Sequence, residues 1–196
     1  NFDTKGFQSI YPPIESLNIS KSLLLTGVGM RRKNLYLVDI DVYLASLSLS
    51  PNAIQRSKEW YEKKDSNSVA DVIIGTSEGG NIPQPIAIVT LRFQREVDSK
   101  TFVLGFNDVF SGLPSDQLSI FHQQLKASIG DGAKKGDDIS LVFMEGGSVK
   151  FVKNGIVGET FSNSVFEKRL LEAYVDSKRA VSPELVKSVE ENIPHL

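Results

Sequence analysis

The sequence predicts an α+β domain in which an antiparallel β-sheet is covered on one face by a layer of helices. Residues 35–44 alternate between two faces with the period of two that a strand shows. Three short β-rich runs follow one another near the C-terminus, and the last two are joined by Asn154-Gly155, a pair typical of tight hairpin turns. The strands are grouped and do not alternate regularly with helices, as expected of an antiparallel sheet.

Length and composition fit one folded domain over residues 1–196. Hydrophobic residues make up 40% and charged residues 23% of the chain, a balance typical of globular proteins. The net charge of -2 argues against binding nucleic acid or an anionic membrane surface. Apolar runs such as Leu23–Leu25 are far shorter than the roughly 20 residues of a membrane span, so we expect a soluble protein.

The residue types that support most reactive sites are scarce. Cysteine is absent and the two histidines are His122 and His195. This excludes disulfides and thiolate nucleophiles and leaves few ligands for a transition metal, so we expect no metal and no cofactor. Arg, Lys, Tyr, carboxylates and hydroxyls remain as functional groups.

The first half begins with an irregular lead-in or short edge strand over residues 1–19, since Pro12-Pro13 is incompatible with a central strand. Gly27-Val28-Gly29 predicts a turn before the strand at 35–44, and Pro51–Tyr61 predicts a helix that begins near a proline. Further strands are expected at 72–74 and 86–93, with a loop around 77–81 between them.

The middle and the C-terminal third predict four helices and a three-stranded meander. The first helix starts at a cap, Asp98 or Ser99, and the second starts after Pro114 and ends at Gly130. The apolar stripe of the first is formed by Phe102, Phe106, Val109 and Phe110, and that of the second by Leu118, Phe121, Leu125 and Ile129. The meander covers about 139–144, 148–153 and 156–160. Helices then follow at 163–174, burying Val165, Phe166, Leu170 and Tyr174, and after Ser182-Pro183-Glu184.

Segments near both ends of the chain resemble a known family. Leu25-Thr26-Gly27-Val28-Gly29-Met30-Arg31 and the strand ending in Val42-Tyr43-Leu44 are similar to the signature of the chalcone isomerase fold. Lys135-Gly136-Asp137-Asp138, Asn154-Gly155 and Ala180-Val181-Ser182-Pro183 resemble its closing segment. The resemblance covers about residues 20–193 and implies an open-faced sandwich of one sheet and one helix layer.

The family has an enzymatic branch, which cyclises chalcones to flavanones, and non-catalytic branches that include fatty-acid-binding proteins of plastids. The run Leu91–Phe102, with Arg92, Asp98 and Lys100-Thr101-Phe102, resembles the fatty-acid-binding branch. Positions that correspond to polar catalytic groups of the enzymes are occupied here by residues that cannot replace them, namely Val38, Phe93, Phe102, Val109, Ala173 and Tyr174. The resemblance therefore implies a protein that binds without catalysis. The compartment stays open at this point, and a plastid, reached after removal of a targeting segment, is the option that the resemblance offers.

An arginine near the start of the strand pattern and a tyrosine near its end suit a carboxylate ligand. Arg31, or alternatively Arg32, would form a bidentate pair with the carboxylate, and Tyr43 would donate a further hydrogen bond. The candidate lining of an apolar cleft for the ligand tail is Val38, Phe93, Phe102, Phe106 and Tyr174. The alternative is that the basic triplet Arg31-Arg32-Lys33 is a solvated turn and that the aromatic residues are ordinary core.

Three functions follow for comparison. The first is a non-catalytic protein that binds a fatty acid or similar apolar carboxylate. The second is an isomerase of the chalcone isomerase type, and the third is a protein-interaction domain without a small ligand. Asp39 and Asp41 share a face of the predicted strand with Tyr43. On the ligand side they would form ion pairs with the arginines and repel a carboxylate. The first function therefore requires the two aspartates to face solvent.

Overall fold

A six-stranded antiparallel sheet forms the centre of the protein. The computed structural model describes residues 23–35, 38–63, 68–75, 83–107 and 109–196. The strands of this sheet are β1 (Leu24–Leu35), β2 (Val38–Leu49), β3 (Pro85–Phe93), β6 (Asp138–Met144), β7 (Ser148–Lys153) and β8 (Ile156–Ser162), in the spatial order β1-β2-β3-β6-β7-β8. Two short strands, β4 (Val97–Asp98) and β5 (Gly132–Ala133), pair separately.

Among the described residues, six helices connect and cover these strands: α1 (Pro51–Lys63), α2 (Val69–Ile74), α3 (Ser99–Leu104), α4 (Ser115–Ile129), α5 (Ser164–Val175) and α6 (Pro183–Asn192), with a final 3-10 turn at Ile193–His195. Side chains cap the N-termini of several helices. Asp98 accepts a hydrogen bond from the Thr101 amide at α3, and Asn163 accepts two from the first turn of α5. The predicted α+β class with an antiparallel sheet is confirmed.

The main core lies between the helices and one face of the sheet. Alternate residues of the central strands point into it, including Leu47, Leu91 and Phe143. They meet the buried stripes of the helices, among them Ile54 and Leu125. A smaller apolar cluster of Ile88, Val142, Met144 and Val152 occupies the opposite face.

Helix α6 packs directly onto the backbone of β1. A Cβ atom added to Gly27 would lie 2.5 Å from Cγ2 of Val189, and one added to Gly29 would lie 2.5 Å from the carbonyl carbon of Glu184. Only a residue without a side chain allows this approach. The two glycines therefore serve helix packing within a strand.

Side chains of α6 and its N-cap also satisfy the outer backbone groups of β1, which is an edge strand of the described sheet. The amides of Val28 and Met30 donate to Ser188 and Glu184 at 3.1 and 3.2 Å. The carbonyls of Met30 and Thr26 accept from Ser182 and Asn192 at 3.3 and 3.1 Å. An edge whose polar groups are paired in this way does not present a free template for another strand.

Several predicted elements need correction. Gly27-Val28-Gly29 lies inside strand β1 and is not a turn, and the strand predicted to start at 35 begins at Val38 after a reversal. Residues 72–74 belong to helix α2, because Ser68 accepts a hydrogen bond from the Asp71 amide and caps a helix there. The helix predicted through Phe110 ends at Leu104.

The remaining predicted elements are confirmed within two or three residues, although Val165 of α5 is half-exposed instead of buried. The lead-in at 1–19 and the loop at 77–81 lie outside the described residues.

The close contact at Gly29 yields a stability prediction. Gly29→Ala places a methyl group against the α6 backbone, so we expect the free energy of unfolding in urea to fall by about 2–3 kcal/mol. Ser188→Ala removes one hydrogen bond from the same interface without a clash, so the free energy of unfolding should fall by about 1 kcal/mol. Equal losses for the two variants would contradict the close approach.

Candidate functional site

Arg31 and Tyr43 are direct cross-strand partners within the β1–β2 ladder. Cross-strand partners share a face of the sheet, and the pairs Gly27–Leu47 and Gly29–Ala45 lie on the same side as Arg31–Tyr43. This is the helix-covered side, because α6 packs on the two glycines. Arg31 is half-buried and Tyr43 is buried.

Tyr174 of α5 completes this group. Its side chain is a hydrogen-bond partner of the Tyr43 hydroxyl, and the positive charge of Arg31 acts on both phenols. Burial raises the pKa of Tyr43, while Arg31 and Tyr174 act in the opposite direction. The pKa of Tyr174 is raised well above its ordinary value, mainly by burial and then by Tyr43. Both hydroxyls are therefore neutral donors near pH 7.

Arg32 lies outside this group. Its side chain is exposed, donates to Asp41 at 2.9 Å and forms a second ion pair with Glu184 at the start of α6. These contacts, with the Asp41 hydrogen bond first, raise the pKa of Arg32. In the described ranges, no carboxylate lies within ion-pair distance of Arg31.

A bulge between the two arginines explains the difference. Arg31 pairs with Tyr43 but Arg32 pairs with Asp41, so Val42 has no partner on β1. In a regular strand Asp41 and Tyr43 would share a face, whereas here Asp41 is exposed and Tyr43 is buried. Asp39 is exposed as well and accepts from Asn34 at 3.0 Å. The aspartates thus face solvent, as the carboxylate-binding hypothesis requires.

A row of aromatic rings leads from Tyr43 into the helix–sheet interior. Phe93 lies 5.6 Å from Tyr43, Phe102 5.5 Å from Phe93, and Phe106 5.3 Å from Phe102, measured between ring centroids. The row continues through Phe110 to Phe166 of α5, 4.8 Å apart. Four of the five predicted lining residues, Phe93, Phe102, Phe106 and Tyr174, are therefore buried in one cluster with Tyr43.

Val38 is the exception. It is the first residue of β2 and is 63% exposed, so it does not line the interior. The resemblance placed it at a position of the enzymes' polar groups, whereas here it is the exposed start of a strand. The polar residues of the fatty-acid-binding resemblance have structural contacts: Arg92 pairs with Asp138 at 2.6 and 2.9 Å, and Asp98 caps α3.

Sequence reasoning missed one buried polar residue of this interior. Glu167, on the first turn of α5, is 1% exposed, and neither of its carboxylate oxygens has a hydrogen-bond partner among the described residues. Burial alone raises its pKa to about 7. Its position seven residues before Tyr174, among the buried residues of an amphipathic helix, was the available signal.

The groups around Arg31 have the chemistry that an anion would need. A guanidinium without an acidic partner lies near two neutral phenols, and all five polar hydrogens of the guanidinium are donors. Such a group binds a carboxylate well, because the fork of the guanidinium matches both carboxylate oxygens. The adjoining aromatic row is apolar.

No cluster of three or more His, Cys, Asp or Glu residues that could hold a metal ion occurs in the described ranges. Within the same ranges, no helix is long and apolar enough to cross a membrane.

Comparison with known proteins gives the family. A family model described as chalcone isomerase-like matches residues 13–185, most of the chain. The chain belongs to the chalcone isomerase-like family. This confirms the resemblance that the segments around Gly27–Arg31 and Ala180–Pro183 indicated.

This chain is similar to a solved structure, that of a fatty-acid binding protein of Arabidopsis thaliana. The TM-score is 0.65, the sequence identity is 19%, and the match covers 91% of each chain. At this identity the similarity establishes the fold. No curated protein matches the sequence.

The orphan carboxyl of Glu167 predicts a pH dependence. Its folded-state pKa of about 7 exceeds the ordinary 4.5, so folding favours the protonated form. The free energy of unfolding should fall as the pH rises from about 4.5 to 7, by roughly 3 kcal/mol in total from this group. Glu167→Gln cannot ionise and should remove this part of the slope in urea titrations over that range.

The matched control is Glu159→Gln, the same change at an exposed position of β8. It should leave the pH profile of the free energy of unfolding as in the wild type. Parallel profiles for Glu167→Gln and wild type would show that the Glu167 carboxyl is solvated.

Proposed function

We propose that this chalcone isomerase-like protein binds a long-chain fatty acid, or a similar apolar carboxylate, without converting it. The observation that carries the proposal is Arg31: a half-buried guanidinium on the inner face of the sheet, next to two buried phenols, with no acid among the described residues to neutralise it. The carboxylate is the group this arrangement recognises best.

The head group of the ligand lies at Arg31 and Tyr43. The guanidinium donates two parallel hydrogen bonds to the carboxylate, and one of the tyrosine hydroxyls donates a third. Because Tyr43 and Tyr174 are hydrogen-bonded to each other, one of them donates to the other and the second is free to donate to the ligand. Burial strengthens each charge-assisted bond.

The acyl tail lies along the aromatic row that begins at Phe93. Phe102 and Phe106 continue this row between the sheet and the helices. Burying methylene groups against these rings supplies the apolar part of the binding free energy, about 0.8 kcal/mol for each methylene. The printed title of the Arabidopsis neighbour, a fatty-acid binding protein, is consistent with this ligand class.

Three further statements belong to the same proposal. The chain acts as one domain over 1–196, it does not bind nucleic acid, and it resides in a plastid. The first two rest on its length and its net charge of -2, and the third rests on the family resemblance alone.

The two adjacent arginines provide a matched test. After removal of bound lipid, palmitate should bind the wild type saturably in isothermal titration calorimetry. Arg31→Ala removes the anchor, so its dissociation constant should rise about 10- to 100-fold. Arg31→Lys keeps the positive charge but loses the bidentate hydrogen bonds of the guanidinium, so its dissociation constant should lie between those of the wild type and Arg31→Ala.

Arg32→Ala is the control, because this side chain is engaged by Asp41 and Glu184 on the surface. Its affinity should stay within about twofold of the wild type. Mass spectrometry of the recovered palmitate should show unchanged ligand. Absence of saturable binding to the wild type, or equal losses for both arginine variants, would refute the proposal.

The tyrosine pair gives a second test. Tyr43→Phe or Tyr174→Phe removes one hydroxyl while leaving the ring packing in place, so palmitate affinity should fall by about three- to tenfold in the same titration. Dodecanol, which lacks the carboxylate, serves as the control ligand. Its affinity should depend less on Arg31 than that of palmitate does.

A further inference from the structure

Glu167 is a carboxyl group that the fold buries without using. It lies on the first turn of α5, where Asn163 already caps the amides of Val165 and Phe166. In the part of the chain that the structure describes, neither carboxylate oxygen has a hydrogen-bond partner, and the residue is 1% exposed. A buried polar group without a hydrogen bond is costly, and a leucine would pack there at lower cost. The carboxyl therefore needs an explanation other than stability.

Its neighbours do not neutralise it. On α5 itself, Lys168 reaches Asp71 of α2 at 2.7 Å, and Arg169 approaches Glu172. On the β6–β7 turn, Glu145 accepts a hydrogen bond from the Gln84 amide. Among the described residues, none of these charged groups contacts Glu167, and burial alone sets its titration. Near neutral pH the carboxyl is partly protonated, so it can donate as well as accept a hydrogen bond.

Glu167 and Tyr174 mark the two ends of one helix face. They are seven residues apart, which is two turns and about 10.5 Å along α5. Tyr174 meets Tyr43 on β2. Glu167 points to the β6–β7 turn, where Oε2 lies 3.6 Å from the position a Cβ of Gly147 would take. On this face the buried side chains between them, Leu170 and Leu171, are apolar. The buried Glu172 lies on another side of the helix, where Arg179 approaches its carboxylate at 3.4 Å.

We propose that Glu167 is the second polar contact of the ligand site and recognises a hydroxyl group on the far part of a bound acyl chain. The preferred ligand class is then a hydroxylated long-chain carboxylic acid. This inference rests on the proposed function, because it assumes that the carboxylate end is held at Arg31. The ligand hydroxyl donates a hydrogen bond to one carboxylate oxygen of Glu167. The buried carboxylate thereby gains the partner that the described residues do not supply.

The experiment compares each acid with its terminally hydroxylated form. Delipidated wild type is titrated by calorimetry with pairs of saturated acids from dodecanoate to octadecanoate. At the chain length that spans the site, the hydroxylated acid should bind about tenfold more tightly, the gain expected for one buried hydrogen bond to an otherwise unpaired group. Shorter members should show no preference.

Glu167→Leu should abolish the preference while keeping or improving affinity for the unsubstituted acid. Glu167→Gln, whose amide still donates and accepts, should retain part of the preference. Glu159→Gln, at an exposed position of β8, is the control and should behave as the wild type. The comparison within the wild type stands even if a variant fails to fold.

The outcomes separate the two proposals. If the wild type binds neither member of any pair, the proposed function fails. If it binds both members of every pair equally, or if Glu167→Leu keeps the preference, the role of Glu167 is refuted and the carboxylate site at Arg31 stands.

Discussion

The backbone contact between α6 and β1 is the constraint on which the arrangement of the site depends. Gly27 and Gly29 let the helix lie against the strand itself, and side chains of α6 and Ser182 then pair with the outer polar groups of β1. A strand that is held on both edges has a fixed register. Arg31 is the next residue on the same face after Gly29, so its direction follows from the helix contact.

The same contact separates two arginines that are chemically identical. Glu184 binds the β1 backbone and also draws Arg32 to the surface, where Asp41 completes the pair. The bulge at Val42 carries Asp41 away from Tyr43. Arg31 is left on the inner face without an acid among the described residues. A surface ion-pair network thereby keeps the interior guanidinium available for a ligand.

The interior combines a large aromatic cluster with a few polar groups at defined places. Tyr43 and Tyr174 satisfy each other, whereas Glu167 is satisfied by nothing in the described chain. Buried polar groups cost free energy unless they are paired, so their positions carry more information about function than the rings that surround them. Other buried polar atoms without a partner among the described residues occur as well, for example on Ser46 and Glu172, but Glu167 has both of its carboxylate oxygens unpaired.

The sequence by itself determined the fold class, the meander with its Asn154-Gly155 turn, the amphipathic helices and the family, because these follow from local periodicity and short motifs. It misplaced the turn at Gly27–Gly29 and the strand at 72–74. Only the tertiary structure decided that Arg31 and not Arg32 faces inward, that Val38 is exposed, and that Tyr174 joins Tyr43. Those features depend on a bulge and on contacts between residues more than 100 positions apart, such as Met30 with Glu184. A local sequence pattern does not specify the register of a strand when distant residues fix that register.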